Sequence, residues 1–107
     1  MSYSIIATPT FEKDVKKLKK KYSKIKTDIS SLVKEIYKNP VIGTSLGENL
    51  YKIRVPNSSI PVGKRSGFRV ITYYITDKTL YLMTIYSKND KDDISISEIN
   101  NILQEIN

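Results

Sequence analysis

Residues 68–86 read FRVITYYITDKTLYLMTIY, and the fold turns on this stretch. Phe68 to Ile75 is dominated by β-branched and aromatic side chains, which predicts a central strand. Asp77-Lys78 marks a tight hairpin turn, and Leu80 to Tyr86 predicts a second apolar strand running back. Moving outward, Leu50-Tyr51-Lys52-Ile53-Arg54-Val55 alternates, with Tyr51, Ile53 and Val55 on one face and Lys52 and Arg54 on the other. That is the pattern of a half-buried strand. Pro56 and Pro61 close it, and 62–66 form a loop rich in bases and glycine.

Further toward the N-terminus the period becomes helical. Phe11, Val15, Leu18 and Tyr22 fall on one stripe after a Thr8-Pro9-Thr10 start, with Lys13, Lys17, Lys20 and Lys24 on the opposite side. Ile25, Ile29, Leu32, Val33 and Ile36 form a second stripe that stops at Asn39-Pro40. Ser4 to Ala7 is a short apolar strand, and Ser95 with Glu98 forms a capping box ahead of Ile99, Ile102, Leu103 and Ile106. The order is strand, two helices, three strands, helix. This predicts one α+β domain over 1–107, an antiparallel twisted sheet with two N-terminal helices packed on it and a C-terminal helix.

Composition subtracts several mechanisms. The 107 residues contain no Cys and no His, which removes disulfides, thiolate nucleophiles, histidine-based zinc sites and His triads. No stretch approaches the ~18 apolar residues of a membrane span, and the start lacks a secretory pattern, so a cytoplasmic address is expected. The net charge is +7, which points to a polyanionic partner. It is unevenly placed: residues 1–49 carry ten Lys against five acids, 50–88 seven bases against Asp77, and 89–107 Lys91 against five acids.

The informative constellation is Lys52 and Arg54 on one strand, Lys64 and Arg65 in the loop, Arg69 opening the next strand and Lys88 closing the last. Antiparallel neighbours would gather these six on one patch able to hold phosphate. Solvated surface lysine is the plain alternative, but Arg occurs only at 54, 65 and 69, all in this segment. The Gly63-Lys64-Arg65-Ser66-Gly67 run lacks the spacing of a phosphate-binding loop and leads into a strand, so its glycines are read as turn residues. Asp90, Asp92 and Asp93 offer oxygens to a hard cation, yet their place ahead of a helix favours stabilisation by its N-terminus. Most tyrosines sit at core periodicity. Tyr86 shares strand parity with Lys88 and is read equally as core or as a site residue. The lysine face of the first helix is a solvated face, with RNA contact through Lys17 and Lys20 as the second reading.

The helix FEKDVKKLKKKY, the strand LYKIRV, the segments GKRSGFRVITYY and LYLMTIYSK and the Asp-rich approach to Ser95 together resemble the RelE/ParE superfamily of toxins from bacterial toxin–antitoxin pairs. The resemblance is nearer to the RelE and HigB branches and covers nearly the whole chain. It implies a small α+β fold whose exposed sheet face binds messenger RNA in the ribosomal decoding site and cleaves it without metal or cofactor. The products are a 2′,3′-cyclic or 3′-phosphate and a 5′-hydroxyl end. It also implies a cognate antitoxin that wraps the toxin. By this resemblance Lys52 and Arg54 match the family's basic pair, Arg69 its phosphate-stabilising arginine, and Lys88 a basic position at the end of the last strand, with Lys64 and Arg65 contacting the RNA backbone.

Such cleavage needs a base for the 2′-hydroxyl, cations for the phosphorane and an acid for the 5′-oxygen. A lysine crowded by other cations is one source of the base. RelE proper carries a Tyr, and some HigB relatives a His, near the start of the last helix; Asp92-Asp93-Ile94-Ser95 has neither, which leaves Tyr86 or the lysines for proton transfer. Two alternatives stay open: a ParE-like gyrase inhibitor, and a basic RNA- or antitoxin-binding module without catalysis.

Overall fold

A computed structural model describes residues 4–60, 67–75 and 78–106. Its elements in chain order are β1 (Ser4–Ala7), α1 (Pro9–Lys19), α2 (Ile25–Lys38), β2 (Thr44–Gly47), β3 (Leu50–Val55), β4 (Phe68–Ile75), β5 (Thr79–Ser87) and α3 (Ile96–Leu103), the last continued by a 3-10 turn, Gln104–Ile106. The mixed α+β architecture is the expected one. The local signals act as read: the Thr8 hydroxyl caps α1 by accepting from Phe11 N, and Ser95 and Glu98 form a reciprocal capping box at α3.

The five strands lie in the order β1-β5-β4-β3-β2. Two features differ from the sequence reading. The sheet is antiparallel across β2, β3, β4 and β5, but β1 joins β5 in parallel, Ser4 opposite Thr79 through Ala7 opposite Leu82. Three successive reversals from β2 to β5 return the chain in the direction in which β1 started. The additional strand, β2, is exposed at all four residues, so it carries no apolar alternation to betray it.

Each face of the sheet has its own core. On one, Phe11, Tyr22, Ile25, Leu32 and Ile36 of the N-terminal helices and their connection pack on Ile53, Val55, Phe68, Val70, Leu80, Leu82 and Ile85. Tyr22 meets Phe68 edge-on, ring centroids 5.5 Å apart. On the other, Ile99 and Ile102 of α3 cover Leu50, Ile71 and Met83. Because α3 spans only about two turns, it covers one end of this second face and leaves the end bearing Arg54, Arg69 and Tyr86 outside its core cluster.

A bulge governs which way β5 points. Ile71 pairs with Thr84 but Thr72 with Leu82, so Met83 is an extra residue on β5. Parity therefore changes: Leu80, Leu82 and Ile85 share the helix-covered core, whereas Met83 joins the α3 side. Tyr86 is thereby turned to pair with Arg69 instead of falling in line with Leu80 and Leu82.

Candidate functional site

Three neighbouring strands bring the candidate residues together. Arg54 of β3 lies directly opposite Arg69 of β4, which lies opposite Tyr86 of β5. Residues directly opposed across a pleated sheet share a face, so these three side chains form a row across it, with Lys52 two residues from Arg54 on the same side. Gly67 sets the entry to β4: a Cβ there would stand 2.6 Å from the Val55 carbonyl oxygen, so close passage past β3 is what requires glycine.

A carboxylate bridges the two outer strands of the row. Lys52 Nζ lies 2.9 Å from Asp93 Oδ1, and the Tyr86 hydroxyl donates to the same oxygen at 3.4 Å. Backbone N–H of Ile94 also donates to it, at 2.8 Å. Lys91 Nζ stands 5.6 Å from the Tyr86 ring centroid and pairs with Glu98. Lys88 is drawn into the turn after β5: its ammonium donates to the Asp92 carbonyl at 2.8 Å, and its backbone N–H to Gly67 O at 2.9 Å. Lys88 thus fixes the segment that carries Asp93.

Burial and charge tune the groups. Burial, and then the Arg54 charge beside it, pull the Arg69 guanidinium below its ordinary value. Burial, followed by the negative charge of Asp93, pushes the Tyr86 phenol up to about 12, so it holds its proton at neutral pH. The Lys52 ammonium holds the Asp93 carboxyl below the usual carboxylate range. The expected crowding of lysines by other cations is not seen among the described residues. Lys52 touches a carboxylate, and the crowded cation is Arg69.

The acidic run, read as serving the last helix's N-terminus, also makes side-chain pairs of its own. Asp90 pairs with Lys21 at 3.1 Å and Asp93 with Lys52, both ahead of the Ser95 cap. Lys17 lines an open cleft of about 350 Å³ beside Tyr86, together with Asp14, Thr84, Asp90 and Lys91. Lys20 lines a different groove, with Lys16, Lys19 and Lys26. Lys64 and Arg65 lie outside the described residues. Sequence reasoning does not single out Lys91, and it weighs Asp93 only as a cation ligand or a helix-start carboxylate, not as a member of this row. The available signal was positional: the resemblance implies a functional side chain near the start of the last helix, and 92–95 is the stretch that matches it. Among the described residues no group of three or more acidic side chains is arranged to hold a metal ion.

Comparison with known proteins agrees with this architecture. The structure is similar to a mutant of the E. coli toxin RelE in the free state, with a TM-score of 0.58 and 16% identity over 98% of this chain and 94% of that one. It is also similar to a chain of the intact E. coli RelBE toxin–antitoxin complex, with a TM-score of 0.58 and 18% identity over 78% of this chain and 94% of that one. At these identities the likeness is one of fold. The sequence itself matches the family model described as RelE toxin of the RelE/RelB toxin–antitoxin system over residues 5–106. With that match spanning nearly its whole length, the chain belongs to the RelE toxin family.

Proposed function

We propose that this toxin is a ribosome-dependent endoribonuclease that cuts messenger RNA in the decoding site, without metal, and so arrests translation and growth in the cytoplasm. The observation that carries the reading is the row Arg54–Arg69–Tyr86, set on three adjacent strands at the end of the face that α3 leaves outside its core cluster. Two guanidiniums side by side suit the doubly charged phosphorane of a 2′-hydroxyl attack, and a phenol held protonated beside them suits donation to it. Lys52 adds a third cation once a phosphate competes with Asp93 for it. Lys88, tied to the Asp92 carbonyl, keeps that segment in place. Lys17, on the cleft beside Tyr86, and Lys20, on a separate lysine-lined groove, offer further positive charge to the RNA backbone.

A cognate antitoxin is the expected protein partner, by likeness to the RelBE complex. It would hold the toxin inactive by covering the cationic row.

Expression of the wild-type chain should arrest growth, with messages cut to leave a 5′-hydroxyl end. Arg69→Ala should lower cleavage by about 10²–10³, the usual effect of removing one preorganised group that stabilises transition-state charge. Intact messages during full arrest, mapped by primer extension, would overturn the reading. A supercoiling defect with translation spared would point to gyrase, and steeply salt-dependent ribosome binding without cleavage to a binding module.

A further inference from the structure

The proposed cleavage needs a group that accepts the 2′-hydroxyl proton, and the described residues of the row offer few. Arginine stays protonated, and Tyr86, pushed up to about 12, keeps its proton at neutral pH. Lys52 and Lys88 present ammonium groups that donate, to Asp93 and to the Asp92 carbonyl. One carboxylate stands in the row, Asp93: the Lys52 ammonium, the Tyr86 hydroxyl and the Ile94 N–H all converge on its Oδ1 and orient the group, which is the described acceptor there able to take a proton. Its side chain is two-thirds exposed, so an incoming ribose can reach it.

We propose that Asp93 is a catalytic residue, the general base for RNA cleavage, and that Lys52 switches it on by leaving it for the substrate phosphate. This rests on the endoribonuclease reading above. The proton of the ribose 2′-hydroxyl passes to the Asp93 carboxylate as the 2′-oxygen bonds to phosphorus. The bond from phosphorus to the 5′-oxygen breaks, and that oxygen takes a proton from water. Asp93 then returns its proton to water, leaving a 2′,3′-cyclic phosphate and a 5′-hydroxyl.

The contact with Lys52 explains how so acidic a carboxylate serves. While paired, Asp93 is a weak base. An incoming phosphate, flanked by Arg54 and Arg69, offers Lys52 a second anion, and as the ammonium moves across, Asp93 loses the charge that held its affinity for protons down. The Tyr86 hydroxyl and the Ile94 N–H remain to aim it. The groups facing Asp93 are thus Lys52 from β3 and Tyr86 from β5. Glu48 lies on the same groove, and the Lys91–Glu98 pair lies beyond the Tyr86 ring.

The test is single-turnover cleavage on ribosomes programmed with a message, from pH 6 to 9, using full-length wild type, Asp93→Asn, Asp93→Glu and Arg69→Ala, with ribosome affinity measured separately. Asp93→Asn should slow cleavage by about 10²–10⁴, the range for a lost general base, while affinity holds or rises because Lys52 is freed. Asp93→Glu should recover part of the rate. The wild-type rate should be level across this range, since the carboxylate is already deprotonated. Cleavage by Asp93→Asn within threefold of wild type, or faster than it, overturns the assignment while leaving the parent reading standing. So does a wild-type rate rising tenfold per pH unit, which would mean that a lysine or tyrosine is the base. No cleavage by wild type, or Arg69→Ala as active as wild type, strikes the parent reading instead.

Discussion

Replacing Asp14 separates the role of a hydrogen-bond acceptor from the role of a charge. β1 ends opposite Leu82, so beyond that point the outer edge of β5 has no strand beside it among the described residues. The start of α1 supplies the missing partners: Thr8 N donates to Leu82 O at 3.1 Å, Thr8 Oγ1 to Met83 O at 2.7 Å, and Asp14 Oδ2 accepts from Ile85 N at 3.2 Å and from the Thr84 hydroxyl. Thr84 and Ile85 are both buried. Asp14→Ala strands two donors, each worth roughly 1 kcal/mol where water from the neighbouring cleft takes part of the load, for a loss of about 2 kcal/mol. That corresponds to a fall in Tm of roughly 8–16 °C for a domain of this size. Asp14→Asn keeps an acceptor oxygen and removes the charge. Burial raises the Asp14 pKa above 3.8, so the folded state binds this proton more tightly than the unfolded one. The stabilisation from that proton is complete below 3.8 and lost as pH rises through the folded value, so at pH 7 the charge is a net burden. Asp14→Asn should therefore match or exceed wild type at pH 7, and the gap should close toward pH 3. Urea denaturation with an unchanged m-value measures both. Asp14→Asn as damaging as Asp14→Ala at pH 7, or Asp14→Ala within 0.5 kcal/mol of wild type by order of magnitude, refutes the reasoning.

Two further substitutions probe the scaffold. Thr72 is fully buried, and its hydroxyl has no hydrogen-bond partner among the described residues; Thr72→Val should raise stability by about 1 kcal/mol in the same denaturation assay, and a loss of that size would show a partner instead. Gly43 has φ +100, and a Cβ there would stand 2.5 Å from the Lys52 carbonyl oxygen. Gly43→Ala should cost about 2–4 kcal/mol through backbone strain and displacement of β3, lowering cleavage as well; an unchanged melting temperature would contradict this.

What the sequence made legible is what is encoded locally. Phe11, Val15, Leu18 and Tyr22 mark a helix because helical period is written in neighbours, and the Ser95–Glu98 box marks another. Lys52, Arg54 and Arg69 could be put on one face because alternation and a strand pairing suffice. The remainder depends on contacts that leave no local mark. β2 is four exposed residues. The parallel seat of β1 is fixed by the path of the whole chain. The Met83 bulge adds one residue to an otherwise ordinary apolar run, yet it decides the direction of Tyr86. Parity alone put Tyr86 beside Lys88, whereas the structure puts it beside Arg69 and turns Lys88 toward Asp92.

The same long-range pairing changes the meaning of the charge. In sequence, a basic middle and an acidic tail are separate blocks. In the fold, the tail is distributed as counter-charges: Asp90 to Lys21, Asp93 to Lys52 and Glu98 to Lys91. Three lysines are answered in this way, whereas Arg54 and Arg69 stand opposite one another with no carboxylate paired to either among the described residues. Facing like charges destabilise a strand pair, by roughly 0.2–1 kcal/mol at an exposed position and more where one of them is partly buried, as Arg69 is. Arginine does not give up its proton to escape this, so an anion is the means of relief. On the proposed reading, a phosphate seated between the two guanidiniums would remove their repulsion and compete for Lys52 in one event. Binding and release of the Asp93 carboxylate would then be coupled through a single ligand. This favours a division of labour in which the arginines hold charge and the carboxylate moves the proton, a division that a chain without histidine cannot avoid by the usual route.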